Sequence, residues 1–535
     1  MSIDKVIWVK DFIVAKVQSL FNKFIEQISG KPIPQEPKAW EKDNRSFCML
    51  PFSHFSPRAD GKVKICSEQQ HFEGIPRTGT EDQIDLVKGL IPGVEPFNLN
   101  KGDTLEDVWN SEFYRDLRRK MLKGQRVNLC KQCYLDDKTA GYENLNYPRL
   151  ADAGGVLQMS PATQSKRWAL TYDLEFVNDY KEVIQYADDN NGHMGEHLPQ
   201  RYEMRLSNKC NLACRMCAAE NSSLFAKEVV NNPELLSWSI RDAEYMKRYL
   251  PGKLELDKNP ELIESIIKSL PTMHFLELHG GEPTLHDGIW EVVRAAIDGN
   301  YAKNIFVEVH TNLLKLEEWQ IELLNQFKRL KVGISIDAYD EENHYIRYPS
   351  NWDTINEKMK LLRVLDKQKV WIRINSVIQF FNAATLYKLC WWLDEINTEY
   401  DLGVEHGIGQ IVRVLHYRAE MLPKELRIKG ATELKRFIKE SNLCNIDSPH
   451  HATRYGKSRV KQQKWMYQSQ IDMLEKDYDI EEMNRDLGKN VVRKYDYNLL
   501  LNQTLTLDKI RKTDYRKVLP HLPDLNDLVI FEGEK

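Results

Sequence analysis

The sequence predicts an α/β fold built on a parallel sheet or barrel, with a smaller domain before it and a helical segment after it. Three observations lead there. From residue 202 onward, short runs with strand character alternate with amphipathic stretches at helical spacing, the pattern of βα units. The residues with reactive chemistry fall at the ends of the strand-like runs, where parallel α/β folds gather their functional groups. The length, 535 residues, exceeds one ordinary core and suggests roughly two to four domains.

Taken in order, residues 1–45 form an N-terminal helix and linker. Ile13, Val14, Val17, Leu20, Phe21, Phe24, Ile25 and Ile28 recur at helical spacing, which reads as an amphipathic helix docked on the protein rather than on a membrane. Lys5, Lys10, Asp11, Lys16 and Lys23 interrupt any signal-peptide core. The Pro-rich stretch Ser29 to Pro37 cannot continue the helix.

Residues 46–150 form the first domain. It opens at Phe47-Cys48-Met-Leu-Pro51-Phe52, turns at Asp60-Gly61 and returns along Lys62 to Cys66, so Cys48 and Cys66 should share one hairpin. A helix from Phe113 to Leu122 should end at Gly124, and Cys130-Lys-Gln-Cys133 closes the segment.

Residues 151–200 read as a polar connector. Residues 201–415 carry the main α/β pattern, with strands expected near 202–207, 273–279, 304–310, 330–337, 369–379 and 407–415. Helices are expected near 221–231, 287–299, 316–327, 352–366 and 383–397, with a helical insertion over 232–272. Residues 416–535 are a helical extension. Its most basic stretch, Arg454 to Lys464, reads as a solvated helix face, or alternatively as a patch for an anionic partner such as RNA. No metal role is expected for His450 and His451 beside it.

Composition narrows the class. Hydrophobic content of 42% with 29% charged residues is globular, and a net charge of −4 gives no global case for nucleic acid or an anionic membrane. No apolar run is long enough to span a membrane. Nine cysteines without a secretory signal point to the reducing cytoplasm, where clustered thiols serve metals or catalysis more often than disulfides. Seven of them fall into two groups. Cys390, beside Trp391 and Trp392, reads as a small buried hydrophobe, and Cys444 stands alone.

The first group to weigh is Cys210-Asn-Leu-Ala-Cys214-Arg-Met-Cys217, just after the first strand of the main pattern. Three local thiolates would leave one iron of a four-iron cluster open, as a reactive cluster requires. Three ligands of a zinc site with a remote fourth, or incidental thiols, fit the same spacing. About sixty residues on, the second strand ends in His279-Gly280-Gly281-Glu282-Pro283. This ordered pair of motifs resembles the radical S-adenosylmethionine (radical SAM) superfamily.

The resemblance implies a partial (β/α)6 barrel, open on one side. In it Cys210, Cys214 and Cys217 would hold a [4Fe–4S] cluster whose open iron is chelated by the amino and carboxylate groups of SAM. Gly280 and Gly281 would let the backbone approach the methionine moiety, Pro283 completes this cofactor-binding motif, and Glu282 would accept from the SAM amino group. Asn312 resembles a residue near the ribose, Ser335 and Arg347 a SAM-contacting pair, and Met216 fills a position near the adenine that is usually aromatic. The implied reaction is reductive cleavage of SAM to a 5′-deoxyadenosyl radical that takes hydrogen from a substrate. Asp337 and His344 are candidates for a hydrogen donor or general acid by location only.

The second group is the hairpin pair Cys48 and Cys66 with Cys130 and Cys133, a complete four-ligand set that suits zinc or iron. Its order of signals, CxxPF, DG before a strand and Cys, LEDVWNSEF, then CxxC, resembles twitch and SPASM domains, which implies an auxiliary [4Fe–4S] cluster rather than zinc. No Cys lies between Cys133 and Cys210, which suits the shorter twitch type. With four Cys the cluster can be fully ligated, which disfavours direct substrate binding. Placement before the core resembles twitch-domain radical SAM proteins often encoded by tailed bacteriophages, as does Leu507 to Arg516. That origin would put the protein in the host cytoplasm.

The resemblance implies a peptide or protein substrate and an electron donor of flavodoxin or ferredoxin type. The alternatives are modification of RNA or a nucleotide, and a non-enzymatic metal-bearing scaffold.

Overall fold

A computed structural model of the chain describes residues 47–66, 72–86, 88–131, 134, 177–236, 242–411, 414–445, 447, 456–487 and 494–533. The N-terminal helix and linker, Cys133, residues 151–176, and His450 and His451 lie outside them. So do the beginning of the basic stretch, Arg454 and Tyr455, and the side chains of 456–459.

The chain forms two compact units. One comprises residues up to Glu203 together with Pro260–Leu276, and the other Met204–Asn259 together with Glu277 onward. Strands β1 (His54–Pro57) and β2 (Val63–Lys64) belong to the first, and β3 (Arg201–Met204) and β4 (Phe275–Leu278) contribute residues to both. Strands β5 (Phe306–Thr311), β6 (Arg329–Ser335), β7 (Val370–Ile378) and β8 (Glu405–Gln410) belong to the second. The hydrogen-bonded order is β2-β1-β3-β4 in the first unit and β4-β5-β6-β7-β8 in the second.

In the first unit β1 pairs antiparallel with β2 and parallel with β3. The Asp60-Gly61 turn is present: Gly61 takes φ +83°, its N–H donates to the Arg58 carbonyl at 2.8 Å, and the Arg58 N–H donates to the Lys62 carbonyl at 2.8 Å. The hairpin is shorter than expected, and Cys48 and Cys66 lie outside its paired residues. Pro51 supplies a helix-compatible φ and no N–H, so the chain after Cys48 starts with a helical turn, α1 (Leu50–Ser53), instead of a strand.

The helices α2 (Leu105–Trp109) and α3 (Glu112–Leu122) carry N-caps Thr104 and Ser111, and Gly124 follows α3 at φ +72°. The buried Arg118 guanidinium stacks 4.3 Å from the Trp109 ring. It donates to the Pro51 carbonyl at 2.8 Å and to that of Gly192 at 3.1 Å, beyond α4 (Val177–Asp189), which ties the unit together.

In the second unit, β5 through β8 are parallel throughout. Long helices alternate with strands: α5 (Ser223–Asn231), α6 (Asp287–Asp298), α7 (Glu318–Leu324), α8 (Trp352–Leu361) and α9 (Leu386–Tyr400). The extension adds α10 (Lys424–Glu440), α11 (Gly456–Glu475) and α12 (Tyr497–Arg511). Val307, Val309, Leu330, Val332, Ile334, Ile372 and Ile374 alternate along the strands and are buried. The intervening positions carry Glu308 opposite Lys331, His310 and Arg373 on either side of Gly333, and Ser335 opposite Asn375. Parallel strands covered on both faces normally read as continuous apolar runs; these strands keep one face polar. Among the described residues no helix is long and apolar enough to cross a membrane.

Candidate active site

Every residue of the main site lies in the second unit. The chain leaves β3 and is pinned at once by Asn208, whose Nδ2 donates to the carbonyls of Tyr249 at 2.7 Å and Ala219 at 3.1 Å. The loop that follows carries the three thiols. Leu212 N–H donates to Cys210 Sγ at 3.4 Å, Cys217 Sγ donates to the Ala218 carbonyl at 3.5 Å, and Arg347 Nη1 lies 3.9 Å from Cys214 Sγ.

Burial pushes all three thiols up, Cys217 to about 12, and each is raised further by a neighbouring thiol or carboxylate. At Cys214 the guanidinium groups of Arg347 and Arg511 act against burial. Three thiols that act on one another, Cys214 buried and Cys210 and Cys217 half-buried, suit an iron–sulfur cluster, because cluster iron supplies the positive charge that thiolates need there.

The Gly280-Gly281-Glu282-Pro283 loop packs directly on this one. Gly281 N–H donates to the Ser207 carbonyl and Glu282 N–H to that of Lys209, both at 2.9 Å. A Cβ at Gly280, where φ is +107°, would sit 2.7 Å from the Ser207 oxygen, and one at Gly281 2.3 Å from the Lys209 oxygen. The glycines therefore answer to the approach of the two loops to each other, a reason that lies outside the motif itself.

Glu282 is 1% exposed. Its Oε1 accepts from Thr284 Oγ1 at 2.8 Å and Thr311 Oγ1 at 2.7 Å, and its Oε2 accepts from Asn312 N–H at 2.7 Å. Oε2 retains a lone pair. Burial raises this carboxyl while those donors hold it down. Asn312 Nδ2 then donates to Asn211 Oδ1 at 2.8 Å, which links the end of β5 to the thiol loop. Pro283 is buried, and its carbonyl accepts from Trp290 Nε1 at 3.2 Å.

Beyond β6, Asp337 is fully buried. It accepts from Val377 N–H at 2.7 Å, and its Oδ2 lies 2.7 Å from Arg347 Nε. The fold thus joins Asp337, Arg347 and Cys214 in one line, and Cys210, Glu282, Asn312 and Asn211 in another. Ser335 is half-buried and in register with Asn375. Met216 is also half-buried, and His344 Nδ1 bonds the Ser350 carbonyl at 2.6 Å.

In the first unit, Cys48 precedes α1, Cys66 follows β2 and acts electrostatically on Tyr114 of α3, and Cys130 ends a short 3₁₀ turn. That turn is held by Glu81, 1% exposed, which accepts from Leu129 N–H at 3.1 Å and Lys120 Nζ at 3.0 Å.

Sequence reasoning missed two groups. One is Arg215, Asp508 and Arg511, which meet at the thiol loop. The other is a repeat, Phe275-Leu-Glu277-Leu-His279 and Phe306-Val-Glu308-Val-His310, legible as FxExH on consecutive strands. Period two puts each Glu and His on one face. The two imidazoles stack at 4.0 Å and 17°, Glu277 bonds His279, and Glu308 lies 2.6 Å from His310 Nε2 and 2.5 Å from Lys331 Nζ.

Burial lowers His279 to about 4, and for Glu308 Lys331 and His310 outweigh burial, bringing it to about 2. Glu277, His279 and His310 each offer a ligand atom within 4.8 Å of the others. Glu308 beside them is paired with both Lys331 and His310, so carboxylates, imidazoles and ammonium form one charge network along the strands.

Residues 204–378, from the end of β3 to the end of β7, match the radical SAM superfamily model. This stretch is a radical SAM domain. It covers roughly a third of the chain. No curated protein matches the chain.

Among solved structures, native anSMEcpe with bound AdoMet is similar at 19% identity, over 44% of this chain and 59% of that one, with a TM-score of 0.29. SuiB of Streptococcus suis bound to precursor peptide SuiA is similar at 14% identity, over 50% and 52%, with a TM-score of 0.28. TYW1 with a lysine-pyruvate adduct bound is similar at 15% identity, over 44% and 70%, with a TM-score of 0.24. Likenesses this distant transfer no substrate and no residue role.

Proposed function

We propose that the protein is a radical SAM enzyme in which Cys210, Cys214 and Cys217 ligate a [4Fe–4S] cluster, and that it acts on a peptide or protein. The observation that carries the reading is the packing of the thiol loop on the glycine loop, backbone to backbone, inside the radical SAM domain. With SAM bound, such a cluster would supply one-electron reductive cleavage of the sulfonium, releasing methionine, and through it hydrogen-atom abstraction from the substrate.

The chain's own residues bind and orient. Gly280, Gly281 and Pro283 shape the methionine side, and the remaining lone pair of Glu282 Oε2 receives the SAM ammonium. Arg347, fixed by Asp337, places a cation beside Cys214 and the SAM carboxylate. Asn312, Ser335 and Met216 line the nucleoside side. Asp337, fully buried and held by Arg347 and Val377, acts as a positioning residue, and His344 is the remaining candidate for a proton or hydrogen donor.

In the same reading, strands β3 to β8 form the half-open barrel. The first unit is of twitch type, and Cys48, Cys66, Cys130 and Cys133 hold an auxiliary cluster. A ferredoxin or flavodoxin supplies electrons. Substrate class rests on the resemblance to twitch and SPASM relatives. One observation favours RNA instead: Trp465 stands 71% exposed on α11 beside the exposed Lys461 and Lys464, an aromatic among cations.

The test is anaerobic reconstitution followed by assay for 5′-deoxyadenosine from SAM and dithionite. The wild-type chain should form it and Cys214→Ala should not; equal product from both would refute the assignment. Iron should reach about eight per chain, against about four if the first unit holds zinc.

A further inference from the structure

The thiol loop is too irregular to satisfy its own backbone, and buried peptide groups require partners. Two come from the segment after Ile346: Arg215 N–H donates to the Ile346 carbonyl at 2.9 Å, and Ala213 N–H to that of Tyr348 at 2.6 Å. A third comes from far outside the residues that match the family. Arg511, near the end of α12, donates Nη2 to the Ala213 carbonyl at 2.6 Å. The same guanidinium grips Glu228 of α5 at 2.7 and 3.0 Å, with its side chain fully buried.

One helical turn earlier, Asp508 receives Arg215 Nη2 at 2.5 Å. Arg215 sits between two of the thiols in sequence. It is wholly buried, lies 3.7 Å over the Tyr345 ring, and donates Nε to the Tyr345 carbonyl at 2.9 Å. Asp508 is itself fixed by Thr513 Oγ1 at 2.9 Å and Tyr515 N–H at 2.8 Å. Residues 508 and 511 share one helix face. Beside them Leu507 and Ile510 pack with Ala213, Cys217, Phe225, Val229 and Leu235.

We propose that α12 is a working part of the cluster-binding unit: Asp508 and Arg511 are positioning residues that hold the Cys210–Cys217 loop in its ligating conformation. The inference rests on the assignment of those thiols to a cluster. It gives the C-terminal extension a task that neither the motif nor the family match covers. The fit is specific, because Arg511 joins the loop to α5 through a fork that a lysine cannot reproduce, and Asp508 neutralises a guanidinium that has no water to turn to.

The experiment uses the full reconstituted chain and compares Arg511→Gln, Arg511→Lys and Asp508→Asn with wild type. One arm follows iron loss to a chelator through the EPR signal that responds to SAM. Loss of outer-shell partners of metal ligands typically costs about 10- to 100-fold in metal affinity or activity. Arg511→Gln and Asp508→Asn should lose the signal faster by that order, with Arg511→Lys between them and wild type.

The second arm is hydrogen exchange on the cluster-free chain. Peptides covering 210–217 should exchange faster in Arg511→Gln while those covering 306–378 do not change. Unchanged retention and exchange would overturn the proposal. Uniformly faster exchange would overturn it too, by making the helix a general support. If wild type holds no SAM-responsive cluster, the cluster assignment fails, and the exchange arm still decides whether α12 clamps the loop.

Discussion

At the scale of single residues, the site is built from close approaches that leave no slack. Gly281→Ala would place a methyl 2.3 Å from the Lys209 oxygen and 2.7 Å from the Asn208 carbonyl carbon, both backbone atoms. Overpacking of this kind costs about 1–3 kcal/mol. The variant should fold with a lowered urea midpoint and make at most about a tenth of the 5′-deoxyadenosine, since the displaced backbone is the thiol loop. Unchanged product formation would mean that the two loops do not depend on each other. Lys331→Met tests the charge network. It leaves the buried Glu308 carboxylate without its ammonium, and breaking a buried pair costs about 3–5 kcal/mol, read as a fall in the denaturation midpoint. That Gly280 and Gly281 matter was legible in the sequence; why they matter was not, because the Ser207–Lys209 backbone that excludes a Cβ lies some seventy residues away.

At the scale of elements, a strand stands at each of the six positions expected in the α/β part, with β3 and β4 buried along their whole length and β7 closer to alternating burial. Strand ends moved by a few residues, as at β8, Glu405–Gln410 against an expected 407–415, where Gly407 and Gly409 left the apolar pattern weak. Helix starts were legible where a cap marks them, as Ser222 does for α5 and Asn351 for α8. The hairpin between Cys48 and Cys66 is shorter than the sequence suggests, because Pro51 starts a helical turn where the motif alone implies extended chain. The FxExH repeat was visible but unread, since its meaning needs β4 and β5 side by side. The contact of α12 with the thiol loop had no local signal at all: Arg215 and Asp508 are separated by 293 residues.

At the scale of the whole molecule, buried neutral histidines set the response to acid. His406, bonded by Ser376 and Tyr467, is lowered to about 3 by burial and then by Arg373; His416, bonded by Gln503, is lowered to about 4 by burial. Unfolded histidine titrates near 6.5, so as the pH falls below that value the unfolded chain takes up protons that the folded one refuses. Stability is full above about 6.5 and lost progressively toward 4. Between pH 7.5 and 6 each of the two should remove roughly 1 kcal/mol, seen as a falling urea midpoint; a flat or rising midpoint would contradict it. Asp257, raised to about 6 by burial, acts in the opposite sense: its folded carboxyl begins to take up a proton toward the lower end of that window and offsets part of the loss.

The central claim is that three thiols from one loop hold a cluster with an iron open to SAM. EPR of the reduced, reconstituted chain with and without SAM tests it most directly. The account predicts a signal that changes on adding SAM and is absent from Cys214→Ala. A signal indifferent to SAM, or one that Cys214→Ala leaves in place, would contradict it.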